Sequence, residues 1–439
     1  MVAALSGVAV LGSAANGLAA STASSPVSST PAAGTPRLVT TGTTQQIRQI
    51  VQCGSTMYAV GTITEIASGK TILNRGGGFS FSASAPYKVT SWNPQVNGTV
   101  DSIAFNAGNC ADAYLGGKFT SVDGTAVKNI AEVNTASGAV VPAFKSNASA
   151  EVFTIVGWHG HLLAGGAFKS INGSAADPFF TSLSPATGRN DNYLALGIAG
   201  NYVFTDDSRT PAASNPTKVY NQQLSNGGTR DLVEGDFTTI GGQPRRQIAM
   251  LDLGTTTAST DAWDATEFNA NCATVEPFYA RAAAWSPDDS TIYVATTGYK
   301  PANGPGFNPS SPRAGLCDAA AAFPSTAGPV THRWINYTGC DSLFSTVADT
   351  STAYFGGHER WINNSNGCDV AGRGAISAPG MAGLSPASGA LTLNPTRARG
   401  IGADDMLLTS AGLWIANDNF DGANQCGGVA GHAGLCLLP

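Results

Sequence analysis

Residues 114–124 read YLGGKFTSVDG. An apolar pair leads into two glycines, a Phe follows two places on, and Asp-Gly closes the stretch. Such a segment is either a glycine loop that cradles a ligand or punctuation in a repeated fold. A phosphate loop needs GxxxxGK[ST], and a dinucleotide loop needs GxGxxG opening a helix; neither spacing is met in that context. The stretch also recurs, as LAGGAF (163–168), VEGDF (233–237) and, in worn form, YFGGH (354–358). Recurrence decides for punctuation.

The downstream halves repeat too: NIAEVNTASGAV (129–140), FFTSLSPATGRN (179–190), QIAMLDLGTTTA (247–258) and GMAGLSPASGAL (380–391). Each is an alternating strand followed by a turn of Ser, Thr, Pro and Gly. TMYAVGTITEI (56–66), AAAWSPDDSTIYVATTGY (282–299) and GLWIANDNFDG (412–422) fill the gaps in the series. The anchors Tyr58, Tyr114, Leu162, Leu232, Ile292, Tyr354 and Leu413 lie 48–70 residues apart. Units of this length with four strand-like runs predict an all-β, seven-bladed β-propeller. A four-stranded blade cannot cover both faces alone, so it stacks on its neighbours until the ring closes. The seventh unit ends after HAGLCLLP (432–439) without a fourth strand. TPRLVTTGTTQQIRQ (35–49) aligns with VVPAFKSNASAEVFT (140–154), so Arg37–Gly42 is expected to supply that outer strand and remove an open edge.

Composition agrees. Charged residues make up only 12% of 439, Gly numbers 53, and no segment has the Glu, Lys, Arg and Leu spacing of a long helix. Net charge is −6 and the basic residues are scattered, which excludes a phosphate-backbone binder. Residues 1–20 are small and apolar and read as a signal peptide with a truncated n-region. Residues 21–36, rich in Ser, Thr, Pro and Ala, read as a linker, and residues 37–439 as the propeller. No second apolar span follows, so no membrane attachment is expected after leader removal. Eight cysteines with no CxxC pair, behind an export signal, suggest disulfides. Their places in the repeat predict Cys272–Cys317, Cys340–Cys368, Cys426–Cys436 and Cys53–Cys110.

The layout GGxFTxxxG…xxIAxLxxxTG, clearest in EGDFTTIGGQPRRQIAMLDLGT (234–255), resembles the delta-60-type repeat propellers of secreted bacterial proteins. It is more distantly similar to kelch propellers. The resemblance covers about residues 37–439 and implies an extracellular binding or surface role. It brings no catalytic residues. The fifth unit departs from it, with TTGYK in place of GGxFT, and the sixth has Glu359 where Phe is expected.

Enzyme signatures fail in turn: no GxSxG, HExxH or SxxK is present. His159 and His161 flank Gly160 without a visible carboxylate or thiolate partner and read as a turn. Asn417–Gly422 resembles the start of a calcium loop, but its twelfth position is Gly428 rather than Glu. No catalytic residue, metal site or cofactor is therefore assigned. Trp92, Trp263 and Trp334 occupy equivalent fourth-strand positions, which favours blade packing over sugar stacking. The irregular units draw attention instead: Tyr299, His358, Arg360, Trp361 and Arg373 lie in or beside second-to-third-strand loops. They are the candidate binding residues. The expected function is a secreted, monomeric binding module for a glycan, wall polymer or protein. The alternatives are an extracellular hydrolase, lyase or oxidoreductase on the loop face, or a structural surface module.

Overall fold

The computed structural model describes residues 26–39, 42–106, 108–204, 213–269, 279–298, 316–395, 402–419 and 433–439. These are β-strands and turns, with one 3-10 turn at Thr266–Asn269. The strands form successive antiparallel meanders, a β-propeller layout. The first sheet holds Gln46–Cys53, Thr56–Thr62 and Gly78–Ser82; the second Thr99–Ala104, Asp112–Lys118 and Ile130–Asn134. Val152–Trp158, His161–Gly166 and Phe180–Leu183 make the third. The fourth runs Lys218–Leu224, Arg230–Asp236, Ile248–Leu253 and Ala258–Thr260. Next come Ala280–Trp285, Thr291–Thr296, Ala319–Pro324 and Trp334–Tyr337 in the fifth, and Leu343–Ala348, Ala353–Gly357, Met381–Leu384 and Leu391–Leu393 in the sixth. The seventh holds Asp405–Thr409, Gly412–Ala416 and Leu435–Leu438. In the first three sheets the outer strand shrinks to one bridge each, at Val89, Val140 and Asn190.

Each sheet's apolar residues pack on the next sheet, so the core divides into inter-sheet clusters. One unites Tyr58, Val60 and Trp92 of the first sheet with Ile103 and Leu115 of the second. Another unites Ile47, Ile50, Phe79 and Phe81 with Trp414, Leu435 and Leu437, placing the seventh sheet against the first. The fourth-strand tryptophans Trp92 and Trp263 are buried in these interfaces, as is Trp334.

The glycine pair of the repeat has two separate tasks. A Cβ on Gly116 would lie 2.9 Å from Ile155 and Val152 of the next sheet. A Cβ on Gly117 would lie 2.2 Å from the carbonyl oxygen of Thr99 on the preceding strand. The first glycine admits the neighbouring sheet; the second admits a bend in its own partner strand. The Asp-Gly that closes the stretch turns a small hairpin between Ser121–Val122 and Thr125–Ala126. Asp123 and Gly124 take φ of 45° and 72°, the two-residue loop that strand twist favours.

The N-terminal segment departs from the expected register. Arg37–Leu38 pairs with Glu65–Ser68 of a side hairpin, and only Leu38 also bridges Ala433. It is Ser28 and Ala32 whose N–H groups donate to the carbonyls of Pro439 and Leu437, at 2.6 and 2.8 Å. The stretch beside the outer edge of Leu435–Leu438 therefore lies upstream of the expected Arg37–Gly42. Side-chain burial sets this register: Val27, 2% exposed, drops beside Tyr354, Met381 and Leu393.

Cys53–Cys110 and Cys340–Cys368 are bonded as expected, with Cα separations of 5.8 and 4.9 Å. Cys317 and Cys436 are disulfide-bonded as well; their expected partners, Cys272 and Cys426, lie outside the described residues.

Candidate functional site

The first strands of the sheets stand side by side around a central cavity of about 460 Å³. Six of these strands carry a β-bulge near their start, each marked by one unpaired residue: Arg48, Asp101, Phe153, Tyr220, Arg281 and Phe344. In the seventh sheet Asp404 holds the same place, one residue before the first ladder pair, Asp405 with Ala416. All of these side chains line the cavity at one end. A bulge re-aims a side chain that regular pleating would send into the inter-sheet core.

This end of the cavity has two unlike sides. On one, Phe153 and Tyr220 lie 5.4 Å apart between ring centres. The Arg281 guanidinium sits 4.8 Å from the Tyr220 ring and 6.0 Å from Phe344. These four are half-buried. On the other side, Arg48 Nε lies 3.4 Å from Asp101 Oδ1, and Gln46 Nε2 donates to Asp404 Oδ2 at 2.7 Å. Burial pushes the Asp101 carboxyl up to about 7, against the opposing pull of Arg48. Burial does the same to Asp404 and Asp405, each raised to about 7. These two acids touch the cavity but are enclosed by protein at longer range.

In several strands the residue after the bulged position ties sheets together. Gln49 Oε1 accepts the Ile103 N–H at 2.6 Å, Ser102 Oγ accepts that of Ile155 at 3.0 Å, and Ser345 donates to the Ala403 carbonyl at 2.7 Å. Asp405 Oδ2 accepts the N–H of Ile50 at 2.8 Å, linking the seventh sheet to the first. The bulged residues are thus held on strands fixed from both sides, so their positions are preorganised.

The residues singled out in the loops fall elsewhere. Arg360 donates from Nε and Nη2 to both oxygens of buried Asp341, at 2.9 and 2.7 Å, and reaches Asp369 as well. Its guanidinium lies 4.6 Å from the Trp361 ring. Since Asp341 and Asp369 follow Cys340 and Cys368, ion pairs and disulfide lock one loop together. Hydrogen bonding to Asp341 raises the Arg360 pKa further, keeping it charged. His358 is half-buried, its N–H donating to the Ser342 carbonyl at 2.7 Å, and Arg373 is exposed. Glu359 is fully buried where other units bury Phe119, Phe168 and Phe237. Tyr299 lies outside the described residues. None of the other four lines the central cavity. Their connection nevertheless leaves the sixth sheet at the bulged end, next to Phe344.

The paired turn at His159-Gly160 is borne out, with positive φ at both residues. His161 is held by Asp191 at 2.7 Å and stacks on Tyr193. Among the described residues no cluster of three or more His, Cys, Asp or Glu could hold a metal.

No protein-family model and no curated protein matches the chain. Remote similarity exists to solved structures. The WD40 β-propeller domain of Doa1 is 12% identical, over 87% of this chain and 93% of that one, with a TM-score of 0.46. U3-55K is 8% identical over 93% and 99%, with a TM-score of 0.49. BamB from Moraxella catarrhalis is 12% identical over 86% and 97%, with a TM-score of 0.37. The propeller layout described above rests on strand order and inter-sheet packing in the chain itself.

Proposed function

We propose that the chain is a seven-bladed, ring-closed propeller of the delta-60 type that binds a glycan outside the cell, at the bulged end of its central cavity. The observation that carries this reading is the ring of bulged side chains. A side of Phe153, Tyr220 and Phe344, with the Arg281 guanidinium set between the last two, faces a polar side of Arg48, Asp101, Gln46 and Asp404. A sugar ring has an apolar face for the aromatic rings and hydroxyls for Arg281 and the polar side. The cavity falls within the ordinary range for small-ligand pockets, roughly 300–1,000 Å³. Its size suits a chain end better than the middle of a polymer. Seven blades are supported by the seven first strands that line one cavity. Closure is supported by Asp405 on Ile50 and by the bridge between Gln46 and Asp418. Export fits the apolar residues 1–20 and the disulfides. His358, Arg360, Trp361 and Arg373 form the rim on the same side, where a longer glycan leaves the cavity.

The test is a glycan and wall-polymer array, run on the secreted full chain and on Tyr220→Ala. Binding by the wild type that falls at least ten-fold in the variant supports the site. A blank array sinks the glycan reading, and undiminished binding by Tyr220→Ala sinks the location.

A further inference from the structure

The bulged end carries a second depression, a groove of about 500 Å³ between the second and third sheets. Lys118 closes the second strand of the second sheet, opposite Thr99, and Glu151 leads into the strand that begins at Val152. Lys118 and Lys128 line the groove beside the methyl groups of Ala150 and Ala167. The Asn129 N–H donates to the Phe119 carbonyl at 3.1 Å, and the Phe119 N–H donates to Asn129 Oδ1 at 3.1 Å. Positions 118 and 128 are thereby held side by side. Both lysines are exposed, and neither ammonium has an acid within ion-pairing distance or a side-chain hydrogen bond among the described residues. Lys118 meets Asp101 only at longer range, and Glu151, the acid lining the groove, stands against Asp101 as well. Asp101 is in turn the cavity residue that Arg48 approaches at 3.4 Å. Cavity and groove therefore share a wall of Asp101 and Glu151.

In a chain of net charge −6, two such ammonium groups held together favour an anionic ligand. On the cavity side of the wall, Arg281 adds a guanidinium that stays charged at any physiological pH. Cations on both sides fit a ligand that repeats its negative charge along its length. Resting on the glycan reading above, we infer that the glycan is a polyuronate: one carboxylate enters the cavity toward Arg281, and that of a residue further along sits at Lys118 and Lys128 in the groove. Lysine meets a carboxylate as a mobile point charge, so the groove does not demand one uronate's stereochemistry.

Immobilised polygalacturonate, alginate and hyaluronan, each beside its carboxyl-reduced neutral form, test this with the secreted full chain at pH 7. At least one uronate should bind on the order of ten-fold tighter than its reduced form, and that margin should shrink with added salt. The double exchange Lys118→Gln with Lys128→Gln should weaken binding to the same polymer, again on the order of ten-fold. A neutral glycan bound on the array while all the uronates fail overturns the acid and leaves the glycan reading standing. So does binding that survives carboxyl reduction. Undiminished binding by the double variant overturns the groove, and dextran sulfate bound as tightly as the uronates overturns the carboxylate. Failure of every uronate together with a blank array overturns both readings. The reduced polymers need no variant, so a folding defect in the double exchange does not spare the inference.

Discussion

Replacing Asp405 with Asn should stabilise the protein increasingly as pH rises from 4 to 7 and leave it nearly unchanged below pH 4. Asp405 spans the join between the seventh sheet and the first, accepting the N–H of Ile50 at 2.8 Å. Burial raises its carboxyl from the usual 3.8 to about 7. Between those values the unfolded chain has lost a proton that the folded chain keeps, so raising the pH favours unfolding. The contribution of Asp405 to stability is complete below pH 4 and is lost as pH rises through 7. A displacement of about three units corresponds to roughly 4 kcal/mol at pH 8, since each unit is about 1.4 kcal/mol. Water in the cavity lowers that figure, making it a ceiling. For a chain of 439 residues with an unfolding entropy of about 2 cal/mol/K per residue, the shift in Tm is at most about 5 °C. Asn keeps an oxygen that accepts the Ile50 N–H while removing the charge. Thermal unfolding of both proteins at pH 4.5, 6, 7 and 8 should give curves that nearly coincide at pH 4.5, separate by pH 6 and reach their full spacing by pH 8, with the variant on top. A variant less stable than wild type at pH 8 would refute the reasoning, because the ionised carboxylate would then be the favoured partner of Ile50.

Gly117→Ala should lower stability by about 1–3 kcal/mol, the usual cost of overpacking, because its methyl meets the Thr99 carbonyl; the urea midpoint measures this. Breaking Cys340–Cys368 with a Cys368→Ser exchange frees a loop of 28 residues, and chain entropy puts the loss at about 3.5 kcal/mol, read as a lower denaturation midpoint than that of the disulfide-bonded wild type. Arg360→Ala leaves buried Asp341 without its two-pronged partner. Stability should drop by up to about 3–5 kcal/mol, with proteolytic nicking inside 358–375 as the local readout. Val27→Asp puts a charge into the pocket beside Tyr354 and Met381; the outer edge of Leu435–Leu438 should then be exposed, with self-association visible by light scattering.

The repeated layout was legible because its punctuation is chemical. Gly117, Asp123 and Gly124 answer close approach and positive φ, which other residues meet poorly. The pairing of Cys53 with Cys110 and of Cys340 with Cys368 followed from repeat positions. The N-terminal register was not legible, because Ser, Thr and Pro between residues 21 and 36 resemble a linker. Burial of one side chain, Val27, is what fixes that stretch to the seventh sheet. The bulged ring was missed for a different reason. Aligned by repeat, Ile47-Arg48-Gln49, Val100-Asp101-Ser102, Val152-Phe153-Thr154 and Val219-Tyr220-Asn221 share an apolar column followed by an unrestrained one. Simple alternation assigns that second column to ordinary strand positions. Only the extra residue in the ladder turns it toward the cavity. A variable column inside an otherwise regular repeat was the available signal.

The bulges also bear on how such a protein can change. Each bulged ring residue stands outside the ladder pairing of its strand, and the side-chain ties between sheets are made by nearby residues such as Gln49, Ser102, Gln222 and Ser345. Exchanging Phe153 therefore leaves the ladder register of its strand as it was. Each unit contributes one face to a shared lock, like a tumbler that turns without moving its neighbours. A scaffold built this way can explore new ligands one position at a time while its fold stays constant.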